Sequence, residues 1–337
     1  MRLGLVTLVV VTALAAGATL RAQPLDAQGR RDPWLWPFAS RSEWNTPLGS
    51  GARFAPADAP ASRDILAGGA SIHAGEWSHP LYLARPDDPV VHVFDRENER
   101  SFRVRVPPGA KPDPKADGHM YVVDPTKRTA LEMIGVKRAA DGSITTARAF
   151  DVDLYGTGMH MTDGRFPGIR AMDASGMGGL IRAWELNAGR IAHAVTFMLP
   201  YARLKHGPVW PSAREDYWGF RDYKGNVPVG SLIAIPPSVN LTKLGLTPSG
   251  LALARALQDY GAYCDDSAGS SGIVISAEGA AEGMAELRDM RADFPKIHPY
   301  LRLVTNNTAA TPGGGGARRQ PPAPPLMPPS AGSAAAP

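Results

Sequence analysis

The amino-acid sequence predicts a mainly β fold, an antiparallel β-sandwich or jelly-roll body with two or three helices supplied by its C-terminal third. Three observations carry that expectation. Between Trp34 and about Phe150 the chain runs in short apolar stretches broken by Pro, Gly and Asp, the pattern of many short strands joined by turns. One stretch, SFRVRVP, alternates strictly, with Phe102, Val104 and Val106 set against Arg103 and Arg105, as a half-buried antiparallel strand does. Well-capped helical periodicity enters only after about residue 245.

Taken in order, HPLYLA, PVVHVFD, SFRVRVP and HMYVVDP each read as a strand with turn residues at its ends. ALEMIGVKRAADGSITTARAFDVDL continues the series, with Asp141-Gly142 as a hairpin turn. GLIRAWELNAGRIAHAVTFMLP, residues 179–200, reads as two strands about Asn187, Ala188 and Gly189. The second places His193 on one face with Ile191, Val195 and Phe197. In LGLTPSGLALARALQDYGAY, Thr247 is a good N-cap, Pro248 suits the first helical position and Gly261 closes the end. AYCDD and GIVISAE, separated by SAGSS, read as a hairpin, and AEGMAELRDMRADF as a helix ending before Pro295. A helix–hairpin–helix portion therefore spans about residues 245–300, and no internal repeat is visible.

The ends read differently from the middle. Residues 1–22 begin Met1-Arg2, then carry no charge from Leu3 to Leu20, and finish in small residues, the layout of a secretory signal peptide. Residues 309–337 are Pro-, Gly- and Ala-rich with almost nothing to bury, so a tail without fixed structure is expected. Residues 32–308 then form a single β-rich domain of a secreted or periplasmic protein, with no membrane contact after cleavage. The whole chain has 36 basic and 32 acidic side chains, but Arg2, Arg21, Arg318 and Arg319 lie at the ends, so residues 23–308 hold 32 of each. A neutral domain lacks the basic excess of a nucleic-acid binder. The single cysteine, Cys264, cannot form an intrachain disulfide, and its two aspartate neighbours disfavour a reactive thiolate.

Seven of the eight histidines lie between residues 73 and 206, and His92, His119, His160 and His193 sit near apolar segments. Strand alternation puts His119 and Tyr121 on one face, a base and acid couple suited to β-elimination from uronic acids. Glu185 lies upstream of His193 and is placed to orient it as a general base. Trp210, Asp216 and Trp218 fall in VWPSAREDYWGFRDYKG, where aromatic rings alternate with carboxylates and arginines, and with Arg182 they form the expected sugar-binding set. Asp151–Asp153 and Asp265–Asp266 offer hard oxygen ligands of the kind calcium takes; no metal site and no cofactor are otherwise called for. His-Glu-x-x-His, a phosphate loop and G-x-S-x-G are all missing, which argues against a zinc protease, a nucleotide-binding loop and an α/β serine hydrolase.

The stretches PFASRSEWNTPLGSGA, GLIRAWELNAGRIAHAV, WPSAREDYWG and ARALQDYGAYCDD resemble a group of uncharacterised exported bacterial proteins over most of residues 36–278. The resemblance brings no established activity or catalytic residues. It implies that His193, Glu185, Trp210 and Asp216 share a site. The expectation is thus an exported carbohydrate-active enzyme, a polysaccharide lyase or glycoside hydrolase using His119, Tyr121, Glu185 and His193 in a β-sheet cleft. Its partner would be a polysaccharide or cell-envelope glycan. The alternative is a non-catalytic envelope or carbohydrate-binding protein using the same aromatics.

Overall fold

The apolar runs of the first half become strands where the sequence places them. In a computed structural model, which describes residues 24–115, 117–159 and 168–329, a short helix α1 (Pro60–Leu66) precedes β1 (Ala70–His73), β2 (Leu81–Leu83), β3 (Val90–Asp95) and β4 (Arg100–Arg105). Next come β5 (Met120–Val123), β6 (Thr129–Ile134), β7 (Lys137–Arg138), β8 (Ile144–Thr146) and β9 (Arg148–Asp153). The Asp141-Gly142 turn joins β7 and β8 as an antiparallel pair, with Gly142 at φ 85°. The predicted signal peptide and His160 lie outside the described residues.

Strands β2 to β9 make two four-stranded sheets, ordered β2–β5–β6–β9 and β4–β3–β8–β7. A core of Val91, Val93, Met120, Val122, Leu131, Met133 and Ile144 fills the space between them. Because successive side chains in a strand face opposite ways, the other face of β5 and β6 carries Tyr121, Val123 and Ala130 into a second, larger core. That face is where these sheets meet the rest of the protein. It explains why all four β5 residues are buried.

The second half supplies α2 (Ala183–Ala188), β10 (Val195–Leu199), β11 (Leu204–Lys205), α3 (Gly219–Asp222), β12 (Val227–Pro228), β13 (Leu232–Ala234) and α4 (Pro248–Asp259). It ends in β14 (Ala262–Ser267), β15 (Ile273–Ser276), α5 (Ala285–Ile297) and β16 (Arg302–Leu303). A six-stranded sheet, ordered β1–β15–β10–β14–β13–β16, runs through this half, and α4 and α5 pack on each other and against it. Its pairing is mixed: β10 lies parallel to β14 and antiparallel to β15. The fold is mainly β, as expected, with several mixed sheets in place of a wholly antiparallel one.

Four local expectations are overturned. β14 and β15 are not a hairpin, because β10 is inserted between them; a partner far away in sequence satisfies both. The segment before Asn187 is helix α2 and not a strand. Its capping box, with the Glu185 carboxylate accepting from the Arg182 N–H at 3.0 Å, and the left-handed Gly189 at φ 66° close both ends. Helix α5 runs through Pro295 to Ile297. Lastly, residues 309–329 are held by the domain. Arg318 donates to the Pro47 carbonyl at 2.9 Å, Arg319 to that of Gln258 at 2.6 Å, and the fully buried Arg31 to that of Pro324 at 2.5 Å. Glycines at 313–316 adopt positive φ, so the low-complexity segment is fastened by backbone bonds and buried arginines, not by its own apolar residues. Among the described residues no helix is long and apolar enough to cross a membrane.

Candidate functional site

His119 precedes β5 and Tyr121 lies within it, so alternation does set both on the inner face. The Tyr121 hydroxyl lies 3.2 Å from His119 Nδ1 and 2.9 Å from His79 Nδ1. The Tyr121 ring stacks on His79, with centroids 5.2 Å apart and planes 13° from parallel. All three side chains are buried, His119 being the most exposed at 6%. Burial pushes the His119 imidazole down to about 3, helped by the nearby charges of Arg170 and Arg148, and holds His79 well below the usual histidine range. Both rings are therefore neutral at pH 7.

A neutral imidazole has one N–H and one lone pair, and a phenol has one proton. Tyr121 donates that proton to one Nδ1, so the other imidazole must donate its Nδ1–H to the phenolic oxygen. The two histidines thus hold opposite tautomers, and the Nδ1–H partner keeps an unprotonated Nε2 on its far edge. Hydroxyl and rings form a hydrogen-bonded chain that ends in a ring-nitrogen lone pair.

The surroundings fix the hydroxyl in place. Gly176 packs so closely that a Cβ there would stand 2.2 Å from the Tyr121 hydroxyl. The loop around Gly176 is tied to Glu132, the cross-strand partner of Tyr121. Glu132 accepts from the Ile169 N–H at 3.2 Å, the Gly176 N–H at 3.0 Å, the Met177 N–H at 3.4 Å and the Ser175 hydroxyl. Even so, burial outweighs these bonds and lifts the Glu132 carboxyl to about 7. Nearby Arg170 bonds Asp265 at 2.8 Å and lies 3.5 Å from Asp266. Those two aspartates, read from sequence as oxygen ligands for calcium, are thus committed to a guanidinium. Among the described residues no three His, Cys, Asp or Glu side chains converge on a position for a metal.

The other predicted residues form a separate centre. His193 sits in the loop before β10 and not on a strand face, yet it does meet Glu185. Its Nε2 lies 3.2 Å from Glu185 Oε2 and 3.1 Å from Oε1, and its Nδ1 donates to the Ala194 carbonyl at 2.9 Å. Burial lowers its pKa, but the charge and hydrogen bond of Glu185 and the carbonyl of Ala194 overcome this and raise it above the ordinary value. Both ring nitrogens serve as donors, so His193 is a bound cation with no lone pair to offer a substrate. The adjoining cavity, lined by Trp36, Trp44, Asn45 and Arg182 among others, measures about 10 Å³, room for one water and not the floor of an open cleft. Arg182, expected at a sugar, is buried instead, bonded to Glu278 at 2.6 Å and set over the Trp34 ring at 4.7 Å. Asp216 belongs to other contacts, accepting from Tyr223 at 2.6 Å and Ser267 at 2.7 Å, while Trp218 is 41% exposed.

Sequence reasoning missed His79, Glu132 and Arg170. Glu132 had a readable signal, a lone carboxylate between Leu131 and Met133 in an apolar strand. His79 had none, since it reaches Tyr121 only through the parallel pairing of β2 with β5. Comparison with protein-family models, with curated proteins and with solved structures returns no match for this chain.

Proposed function

We propose that the protein is a carbohydrate-active enzyme of the lyase or hydrolase class, with acid–base chemistry centred on His79, Tyr121 and His119. The observation that carries this reading is the Tyr121 hydroxyl held between two neutral imidazole nitrogens, 2.9 and 3.2 Å away. Such a group moves a proton without any net charge remaining on the protein. In β-elimination from a uronic acid, Nε2 of the Nδ1–H imidazole takes the C5 proton. That imidazole passes its Nδ1 proton to the phenolic oxygen as the phenol gives its own to the second imidazole's Nδ1, and that ring releases its Nε2 proton to the departing glycosidic oxygen. The C4–O bond breaks, a C4–C5 double bond forms, and one proton has been carried from carbon to oxygen. Concentrated perturbed titration, as at His119 and Glu132, is commoner at functional sites than elsewhere.

The test is incubation of the whole protein with uronate-containing polymers, following the near-ultraviolet absorbance of unsaturated product and, in parallel, release of reducing ends. The reading expects one of these signals, abolished by Tyr121→Phe. A second reading, a non-catalytic glycan-binding protein, is favoured by the low exposure of His79, His119 and Tyr121. Binding without either signal would establish it in place of the first.

A further inference from the structure

On one face of the protein, four aromatic side chains are displayed and not buried. Tyr217 is 89% exposed, Phe220 62%, Trp218 41% and Tyr201 40%. Large rings left in water forgo the burial that stabilises a fold, and contiguous exposed apolar patches mark interaction sites. The turn that carries them is firmly built. Asp216 accepts hydrogen bonds from Tyr223 and Ser267, and its carbonyl takes the Gly219 N–H at 2.8 Å. Glu215 accepts from His206 and from the Gly207 N–H. Tyr201 stacks on the buried Tyr223 with centroids 6.1 Å apart.

A second, independent feature lies beside this turn. Lys205 and Lys224 face each other across an antiparallel bridge, both are exposed, and neither forms an ion pair with a carboxylate among the described residues. Like charges directly opposite each other in a sheet destabilise it, and an anion set between them reverses the sign. Of the acids of the turn, Glu215 and Asp216 are spent internally, and Asp222 is bonded by Arg221 at 2.7 Å, the main cause of its lowered pKa, to which the charge of Lys224 adds.

From this juxtaposition we infer that the face carrying Tyr201, Lys205, Tyr217, Trp218, Phe220 and Lys224 binds an acidic polysaccharide. Aromatic rings stack on the C–H faces of sugar rings, and the lysine pair takes the carboxylate of a uronate. Tyr and Trp suit this role because each joins a rigid apolar surface to a polar tip. The inference extends the carbohydrate reading and names the charge of the polymer, but it requires no catalysis.

The experiment measures binding of the full chain to a soluble polyuronate, a neutral glucan and vesicles containing anionic lipid, by calorimetry or affinity electrophoresis. Polyuronate should bind with an affinity that falls as salt rises, the neutral glucan at least tenfold more weakly. Lys205→Gln with Lys224→Gln, and separately Tyr217→Ala with Phe220→Ala, should each weaken polyuronate binding about tenfold while leaving the melting temperature unchanged, because all four side chains are exposed. Equal binding of the neutral glucan, preference for the vesicles, or indifference to both double variants would overturn the inference. Tyr121→Phe separates the two proposals. If it stops turnover and leaves binding intact, both stand. Turnover in the native protein without polyuronate binding sinks this inference alone, and binding without turnover sinks the catalytic one alone.

Discussion

Replacing Tyr121 by Phe removes one oxygen atom and leaves the buried ring in place, so its effect can be worked from the contacts. The hydroxyl holds two imidazole nitrogens, at 2.9 and 3.2 Å, and all three side chains are buried. Each nitrogen left without a partner costs about 1–3 kcal/mol, partly offset because the phenol no longer has to be stripped of water. A net loss of about 2–4 kcal/mol follows, which in a domain of this size lowers the melting temperature by about 4–16 °C. Urea unfolding should show a lower midpoint with an unchanged slope. His119→Gln combined with Tyr121→Phe should depart from additivity by at least about 0.5 kcal/mol, as contacting residues do. The reasoning is refuted if Tyr121→Phe lies within about 0.5 kcal/mol of the native protein and the double variant is additive.

Three further outcomes are expected. His193, bound as a cation and raised in pKa, contributes stability fully present below pH 6.5 and lost as pH rises through its higher folded value. His193→Gln should flatten that alkaline decline in thermal melts and cost about 1.5–3 kcal/mol from its bond to Glu185. Gly176→Ala drives a methyl group to 2.2 Å from the Tyr121 hydroxyl and should destabilise by about 1–3 kcal/mol, measured by denaturant unfolding; a neutral result would show that the loop has room. Deleting residues 309–337 uncovers Arg31 and strips Arg318 and Arg319 from their carbonyls, so the truncated chain should melt several degrees lower in calorimetry, and an unchanged melt would mean the strap is idle.

The strands of the first half were legible because each is local, an apolar run between turn residues whose face follows from alternation. The shared face of His119 and Tyr121 came from that same rule. What failed was non-local. β14 and β15 look like a hairpin until β10 enters between them, and nothing near residue 265 announces a partner near residue 197. The α2 segment was misread because Trp184, Leu186 and Ile191 suit a strand as well as a short helix; the caps at Arg182–Glu185 and Gly189 decide it. The pairing of Glu185 with His193 was anticipated, but its meaning depends on the Ala194 carbonyl, which turns a prospective base into a satisfied cation. His79 was invisible for the same reason as β10, since its contact with Tyr121 spans 42 residues.

The central claim is that His79 and His119 are neutral imidazoles of opposite tautomer bridged by Tyr121, and nitrogen-15 NMR of histidine-labelled protein tests it most directly. The ring shifts at pH 7 should show two slowly exchanging buried histidines, one protonated at Nδ1 and one at Nε2. His119 should not titrate as the pH is lowered to 5, because burial holds it near 3, and His79 should stay neutral well below 6.5. Folded proteins with neutral histidines of this kind lose stability as pH falls below 6.5, by about 1.4 kcal/mol per pH unit for each ring. Two rings of the same tautomer, or either one titrating near 6.5, would contradict the claim.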